Sequence, residues 1–290
     1  MTTVDRTCWV VSPMLHDTES YLRVRSETAA ACANRSDTLR FMVVDDSAGT
    51  DPELSRLHQL DDVEVVSAPF NLGHQRAIVH GLRLLADRVD DADLIVTMDS
   101  DGEDLPGDVP RLLDALDEQD VALALARRTQ RSESLLFRVM YIVFRLAFRA
   151  FTGTTVRSGN FAVQRGDSLR ATIGHPAFDL CYSSSLLALR RPTALVPCAR
   201  GTRFAGQSRM NAQSLMAHGV RMLLPFAERI AVRAMVLAVV SGAVLVCLFL
   251  ALLVAANTTV VVATAATATL FVTALSTFLS LFARFDQGRR

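Results

Sequence analysis

The 290-residue chain has five cysteines, Cys8, Cys32, Cys181, Cys198 and Cys247, but no CxxC pair and no Cys/His ligand spacing. That lack argues against a zinc site and for reduced thiols. Net charge is missing too, because 30 basic and 30 acidic side chains cancel, and the balance gives nucleic-acid binding no support. At the N-terminus, "CWVVSPML" is too short for a secretory signal and runs into "HDTES" in place of a small-residue cleavage site. It is read as a first strand. No internal repeat or low-complexity linker interrupts the chain.

Charged side chains are absent altogether from residues 234–256 and 260–283. Each stretch exceeds the roughly 20 residues that a bilayer-crossing helix needs, so two membrane helices are predicted in preference to a buried core hairpin. Only "NTT", Asn257 to Thr259, separates them, which brings both outer ends to one side. Arg229 and Arg233 precede the first span, and Arg284, Arg289 and Arg290 follow the second. By the positive-inside rule that side is cytoplasmic. The expectation is a multi-pass inner-membrane protein with a cytoplasmic domain at 1–228, a hairpin at 229–290, and both termini cytoplasmic.

Through the first half, short apolar runs alternate with helix-length segments: "CWVVS", "LRFMVV", "VEVVSA", "DLIVTM" and "VALALA". Such alternation predicts an α/β fold, a mostly parallel sheet with helices on both faces and its chemistry at the carboxyl ends of the strands. Asp45 and Asp46 follow "FMVV", and Asp99 and Asp101 follow "LIVTM". A shared rim is therefore expected for two acidic pairs more than fifty residues apart. Asp99, Asp101, Glu103 and Asp104 fall within six residues, a crowding that water or a cation must relieve. In "NLGHQRAIVHGL", Gly73 either simply begins a helix or lets backbone N–H groups approach a phosphate or sugar.

Residues 134–165 hold five arginines and no acid. Arg131, Arg138, Arg145 and Arg149 step by seven, seven and four, the last three within "LLFRVMYIVFRLAFRAF". This predicts a basic amphipathic helix near 133–152 lying in the headgroup region, followed by a second interfacial helix near 212–228 that Pro225 ends or kinks.

Five stretches, "CWVVSPMLHDTESYL", "MVVDDSAGTDPEL", "APFNLGHQRAIVHGL", "MDSDGEDLPGDV" and "RGTRFAGQSRMNAQSLMAHGVR", resemble in this order the motifs of the family 2 inverting glycosyltransferases of the GT-A fold. Within that family the likeness is to the polyprenyl-phosphate glycosyltransferases, the group of dolichol-phosphate mannose synthase and GtrB-like enzymes. The resemblance implies that Asp45 and Asp46 contact the nucleotide base and that Pro13 packs around it. Asp99 and Asp101 match a DxD motif that holds Mg²⁺ or Mn²⁺ on the donor diphosphate, with Glu103 as a further metal contact. Arg128 and Arg131 fall where the acceptor phosphate is received, and Arg203, Ser208 and Arg209 match an element that closes over the diphosphate. The implied partners are a nucleotide-sugar donor, a polyprenyl-phosphate acceptor and the membrane; small residues in the spans permit a homo-oligomer.

Such hard cations and arginine forks suit diphosphate chemistry. Between Asn160 and Arg203 the only acids are Asp167 and Asp179, and this scarcity favours an already ionised phosphate as nucleophile. "SGNF" places Asn160 where many such enzymes carry an aspartate, which keeps open a hydroxyl acceptor with Asp179 or Asp104 as base. The remaining rivals are a non-catalytic membrane scaffold that retains nucleotide-sugar binding and, further off, a channel or transporter.

Overall fold

A computed structural model describes residues 6–128, 135–156, 158–205, 212–254 and 258–287. Its elements in chain order are β1 (Thr7–Met14), α1 (Thr18–Ala31), β2 (Thr38–Asp45), the one-turn α2 (Leu54–Leu57), β3 (Val63–Ser67), α3 (His74–Ala86), β4 (Leu94–Thr97), α4 (Val109–Glu118) and β5 (Leu123–Arg128). There follow α5 (Leu135–Thr152), β6 (Ser158–Arg165), α6 (Gly166–Thr172), α7 (Tyr182–Ala188), β7 (Thr193–Cys198), α8 (Ala212–Leu223), α9 (Ala227–Val254) and α10 (Thr258–Gln287). The chain divides into two compact units, Met1–Ile142 with Val156–Pro225, and Val143–Thr155 with Phe226–Arg290.

The first unit is built on a seven-stranded sheet in the order β3-β2-β1-β4-β6-β5-β7. β1 runs parallel to β2 and β4, β2 to β3, and β5 to β7, whereas β6 is antiparallel to both of its neighbours. Alternate side chains of each central strand go to opposite faces, so Val10, Phe41 and Val96 pack with Val24, Leu112 and Leu116 on one side. Val11, Met42, Val44 and Ile95 pack with Ile78, Leu82 and Leu85 on the other. Burial on both faces is why these strands read as continuous apolar runs without polar alternation.

All five strands expected from apolar runs are present, and β6 and β7 join them. β6 follows a segment whose arginines dominate its character, while β7 is an edge strand with alternating burial and carries Pro197, a residue such edges tolerate.

In the second unit α9 and α10 pack through small side chains, with Ala234, Ala238, Ser241 and Ala274 buried. Their outward surfaces show Val239, Val246, Phe249, Val262 and Val272. Two helical stretches, within Gln213–Leu252 and at Val261–Leu281, are long and apolar enough to cross a membrane, and only 11% and 6% of their most apolar windows are buried. So low a burial separates them from the core helices of a soluble domain. The hydroxyls of Thr267, Thr269, Thr273 and Thr277 donate to the carbonyls one turn back, at 2.8–3.1 Å, which satisfies them without water. The end of α5 belongs to this unit: Phe148 meets Phe226 edge-on at 5.3 Å, and Arg233 donates to Ala150 O at 2.5 Å. Exposed apolar side chains mark α5 and α8, the helices expected to be interfacial: Ile142, Leu146 and Phe151 on the first, Met216 and Val220 on the second.

One contact sets how closely α3 lies on the sheet. A Cβ at Gly81 would stand 2.6 Å from Val44 Cγ2 and 3.2 Å from Val11 Cγ1, on stiff β-branched side chains that yield little. Gly81→Leu is expected to destabilise the protein by about 1–3 kcal/mol, read as a lowered melting temperature of the full chain in detergent.

Candidate active site

Because β2, β1 and β4 are parallel neighbours, their carboxyl ends form one rim. Met14 is in register with Asp45, Pro13 with Val44, and the N–H of Asp46 donates to Met14 O at 2.8 Å. On the other flank the N–H of Met98 donates to Val11 O, so the chain leaves β4 beside the same edge. Both acidic turns open there.

The first turn is held by its own backbone. Asp45 accepts from Ser47 N at 2.9 Å, from Gly49 N at 2.7 Å and from Ser67 Oγ at 3.2 Å, a reach made possible by left-handed conformations at Ala48 and Gly49. Burial acts to raise its pKa, and these hydrogen bonds outweigh it and leave the group below the ordinary aspartate value. Asp46 accepts from Leu72 N at 2.6 Å and Gly73 N at 2.9 Å, clamping the turn before α3. The Gly73 N–H is thus given to Asp46, and the residue's φ of +80° supplies the turn that starts the helix. Burial holds Asp46 above its usual value.

The second turn gathers four acids and surrounds them with cations. Asp101 is 6% exposed and accepts from Glu103 N at 2.9 Å and from the Arg203 guanidinium at 2.7 Å. Glu103 pairs with Arg200 at 2.5 Å and Arg203 at 3.1 Å. Asp104, 3% exposed, accepts from Asp99 N at 3.1 Å and from Arg128 at 3.2 Å. Asp99 Oδ1 lies 3.2 Å from His74 Nε2 and 3.4 Å from Asn160 Nδ2. Burial opposes ionisation of Asp99, yet His74, Arg128 and the Asn160 amide bring it down to about 2. Burial and the charge of Asp99 push Asp104 up to about 7 and also raise Asp101.

A strap of chain closes over this turn. Gly201 N donates to Glu103 O and Phe204 N to Asp101 O, both at 2.9 Å, while the Phe204 ring lies against Gly102 and under the Arg23 guanidinium, 3.8 Å from the ring centre. Gly102 has a φ of +87°, and a Cβ there would meet the ring at 2.8 Å, so only glycine suits the position.

Of the side chains expected at the site, Asp99, Asp101, Glu103, Arg128 and Arg203 come together, with Pro13, Asp45, Asp46 and Gly73 along the same rim. Asp179 is placed otherwise: its carboxylate is 57% exposed and pairs with Arg83 of α3 at 2.6 Å, and its carbonyl accepts from Arg76. Arg131, Ser208 and Arg209 lie outside the described residues. Arg200, His74 and Gln75 also stand at the site, and sequence reasoning did not select them. The one signal for the latter two was a pair of polar side chains opening a helix directly after Gly73.

Among the described residues no three Asp, Glu, His or Cys side chains converge as an all-protein metal centre. A hard cation such as Mg²⁺ does not require one, because one or two carboxylates with substrate phosphates complete its shell. The carboxylates of Asp99, held ionised by His74, Arg128 and the Asn160 amide, and of Asp101, pushed up by burial and by the charge of Asp99, fit such an ion.

A sequence model described as Glycosyl transferase family 2 matches residues 16–173. Undecaprenyl-phosphate 4-deoxy-4-formamido-L-arabinose transferases from Salmonella paratyphi A and Salmonella paratyphi B are 28% and 27% identical over 148 residues, half of this chain and 43% of theirs. The match thus spans less than half the length of these relatives. Among solved structures, glucosyl-3-phosphoglycerate synthase from Mycobacterium tuberculosis in complex with Mn²⁺, UDP and phosphoglyceric acid superposes with a TM-score of 0.56 at 19% identity, covering 78% of each chain. The same synthase with Mg²⁺ and UDP gives 0.52 at 17%, covering 77% of this chain and 79% of the other. The architecture is accordingly the GT-A fold.

Removing Arg128 would leave Asp104 buried beside Asp99 without its cation. Arg128→Met is expected to cost about 1–3 kcal/mol, with much of the loss recovered in Arg128→Met/Asp104→Asn, measured as melting of ligand-free protein in detergent.

Proposed function

The chain belongs to glycosyl transferase family 2, and from that premise we propose that it moves a sugar from a nucleoside diphosphate sugar to the phosphate of a polyprenyl lipid, with inversion at the anomeric carbon. The observation that carries this reading is the meeting of the acidic turn at 99–104 with Arg128, Arg200 and Arg203 at one rim of the sheet. Carboxylates of Asp99 and Asp101 would hold Mg²⁺ or Mn²⁺, which neutralises charge on a departing diphosphate. Asp45, Asp46 and Pro13 line the end of the rim assigned to the base.

In the proposed step an oxygen of the lipid phosphate attacks the anomeric carbon, the bond from that carbon to the donor diphosphate breaks, and its electron pair leaves with the nucleoside diphosphate. No proton has to be removed, since the acceptor is already ionised. Arg128 is the side chain of this rim suited to receive the acceptor phosphate, and Arg203 to follow the diphosphate once Asp101 turns to the cation. The names of the Salmonella relatives support a polyprenyl-phosphate acceptor. The exposed apolar faces of α5 and α8, with α9 and α10 as a membrane hairpin, support catalysis at a lipid surface. Arg229 and Arg233 before the hairpin favour a cytoplasmic site.

Transfer to a hydroxyl is the second reading, and it needs a base. Asp179 is paired with Arg83, and both oxygens of Asp104 are engaged by Asp99 N and Arg128, which favours the phosphate acceptor.

Membranes carrying the chain, given radiolabelled UDP- or GDP-sugars and a polyprenyl phosphate, should form a lipid-linked sugar that mild acid releases, and Asp101→Asn should lower its yield by about a hundredfold or more. No product from any donor, with Asp101→Asn indistinguishable from wild type, rejects the proposal, and an acid-stable product transfers support to the hydroxyl reading. A tag placed after Arg290 should be cleaved by protease only in inside-out vesicles; cleavage in right-side-out vesicles would refute the cytoplasmic topology.

A further inference from the structure

Asn160 reaches the rim from an unusual direction. It sits near the start of β6, and because that strand is antiparallel its beginning lies where β4 ends. Its backbone is pinned, since Thr97 Oγ1 donates to Asn160 O at 2.7 Å and itself lies 3.0 Å from the fully buried Tyr182 hydroxyl. Its side chain touches three others: Oδ1 is 2.6 Å from Gln75 Nε2, and Nδ2 is 2.6 Å from His74 Nε2 and 3.4 Å from Asp99 Oδ1.

A carboxamide seen alone can be turned over, exchanging its oxygen and nitrogen. Here a main-chain group removes that freedom. The N–H of Ser183 can only donate, and it meets Gln75 Oε1 at 3.1 Å, with the Cys181 thiol on the same oxygen at 3.4 Å. Gln75 must therefore direct its NH₂ at Asn160, Asn160 must accept through Oδ1, and its own NH₂ is left facing Asp99 and His74. An aspartate at 160 could accept from Gln75 equally well, yet it would set a second negative oxygen against Asp99 in place of a donor.

We propose that Gln75 and Asn160 form a positioning relay, anchored on the Ser183 N–H, that turns an N–H toward Asp99 Oδ1 and so orients this carboxylate for a divalent cation. The inference rests on the reading of Asp99 as a cation-facing group and deepens it. Hydrogen-bond partners that orient a metal-binding side chain typically govern affinity about ten- to a hundredfold. Neither Gln75 nor Asn160 supplies the metal with an oxygen; they act through Asp99.

The test is Mn²⁺ binding to the full-length protein in detergent, followed by electron paramagnetic resonance of the free ion, with no nucleotide present. Asn160→Ala should weaken binding about tenfold. Gln75→Glu still accepts from Ser183 but cannot donate, so Asn160 turns its oxygen to Asp99. The expected result is binding weakened about threefold or more, although the added negative charge by itself would tighten it. The double variant should bind no more weakly than Asn160→Ala, because both act through one contact. Asn160→Asp, which keeps the Gln75 bond but turns an oxygen in place of the N–H toward Asp99, should likewise bind Mn²⁺ more weakly than wild type despite its added charge, and serves if Gln75→Glu does not fold. Wild-type affinity in Gln75→Glu, additive losses in the double variant, unchanged or tighter binding in Asn160→Asp, or a wild type that binds no Mn²⁺ would each overturn the relay. Failure of sugar transfer in a wild type whose Mn²⁺ affinity follows the relay would instead count against the proposed function alone.

Discussion

Repulsion among carboxylates at the end of a parallel sheet is the constraint that organises this protein. Three neighbouring strands running the same way deliver their following turns to a single edge, and two of those turns are acidic. Left to themselves, four acids within six residues would force the turn open or take up protons. The surrounding structure answers with guanidinium groups drawn from distant parts of the chain: Arg128 from the end of β5, and Arg200 and Arg203 from the segment after β7. The chain contains no lysine, so every one of these cations is a planar fork that pairs with carboxylate or phosphate through the same geometry. In the proposed function these ion pairs within the protein would give way to pairs with an incoming anion and its counter-cation.

The two acidic turns are stabilised by opposite means. Asp45 and Asp46 are satisfied almost wholly by backbone N–H groups, which makes them architectural whatever else they touch. Asp101 and Glu103 lean on arginine side chains, which can move. Rigidity at one end of the rim and exchangeable partners at the other are what the proposed donor, with a flat base and a charged tail, would require.

Much of this could be read in the sequence, and the reasons are specific. "FMVV" and "DLIV" announce central strands because both of their faces are buried, and the acids that follow them inherit a place at the rim from strand direction alone. Long charge-free stretches announce α9 and α10 by the same arithmetic of length. What stayed hidden depends on contacts between distant residues. Nothing local in "SGNFAVQR" tells that it enters the sheet reversed, and nothing in "ARGTRF" tells that its arginines fold onto Asp101 and Glu103. His74 and Gln75 look like ordinary polar openings of a helix until Asn160 is placed beside them. Asp179 shows the reverse: its position in the chain made it a candidate base, whereas Arg83, one helix away, engages it at the surface.

The reversed course of β6 ties the composition of the rim to the register in which this strand pairs. Side chains along a strand alternate between faces, so slipping β6 by one residue would bring the core phenylalanine, Phe161, or Gly159 to the place that Asn160 fills. A change between Gly153 and Ser158 that shifted this register by one residue would leave Asp99 facing an aromatic ring or a bare backbone.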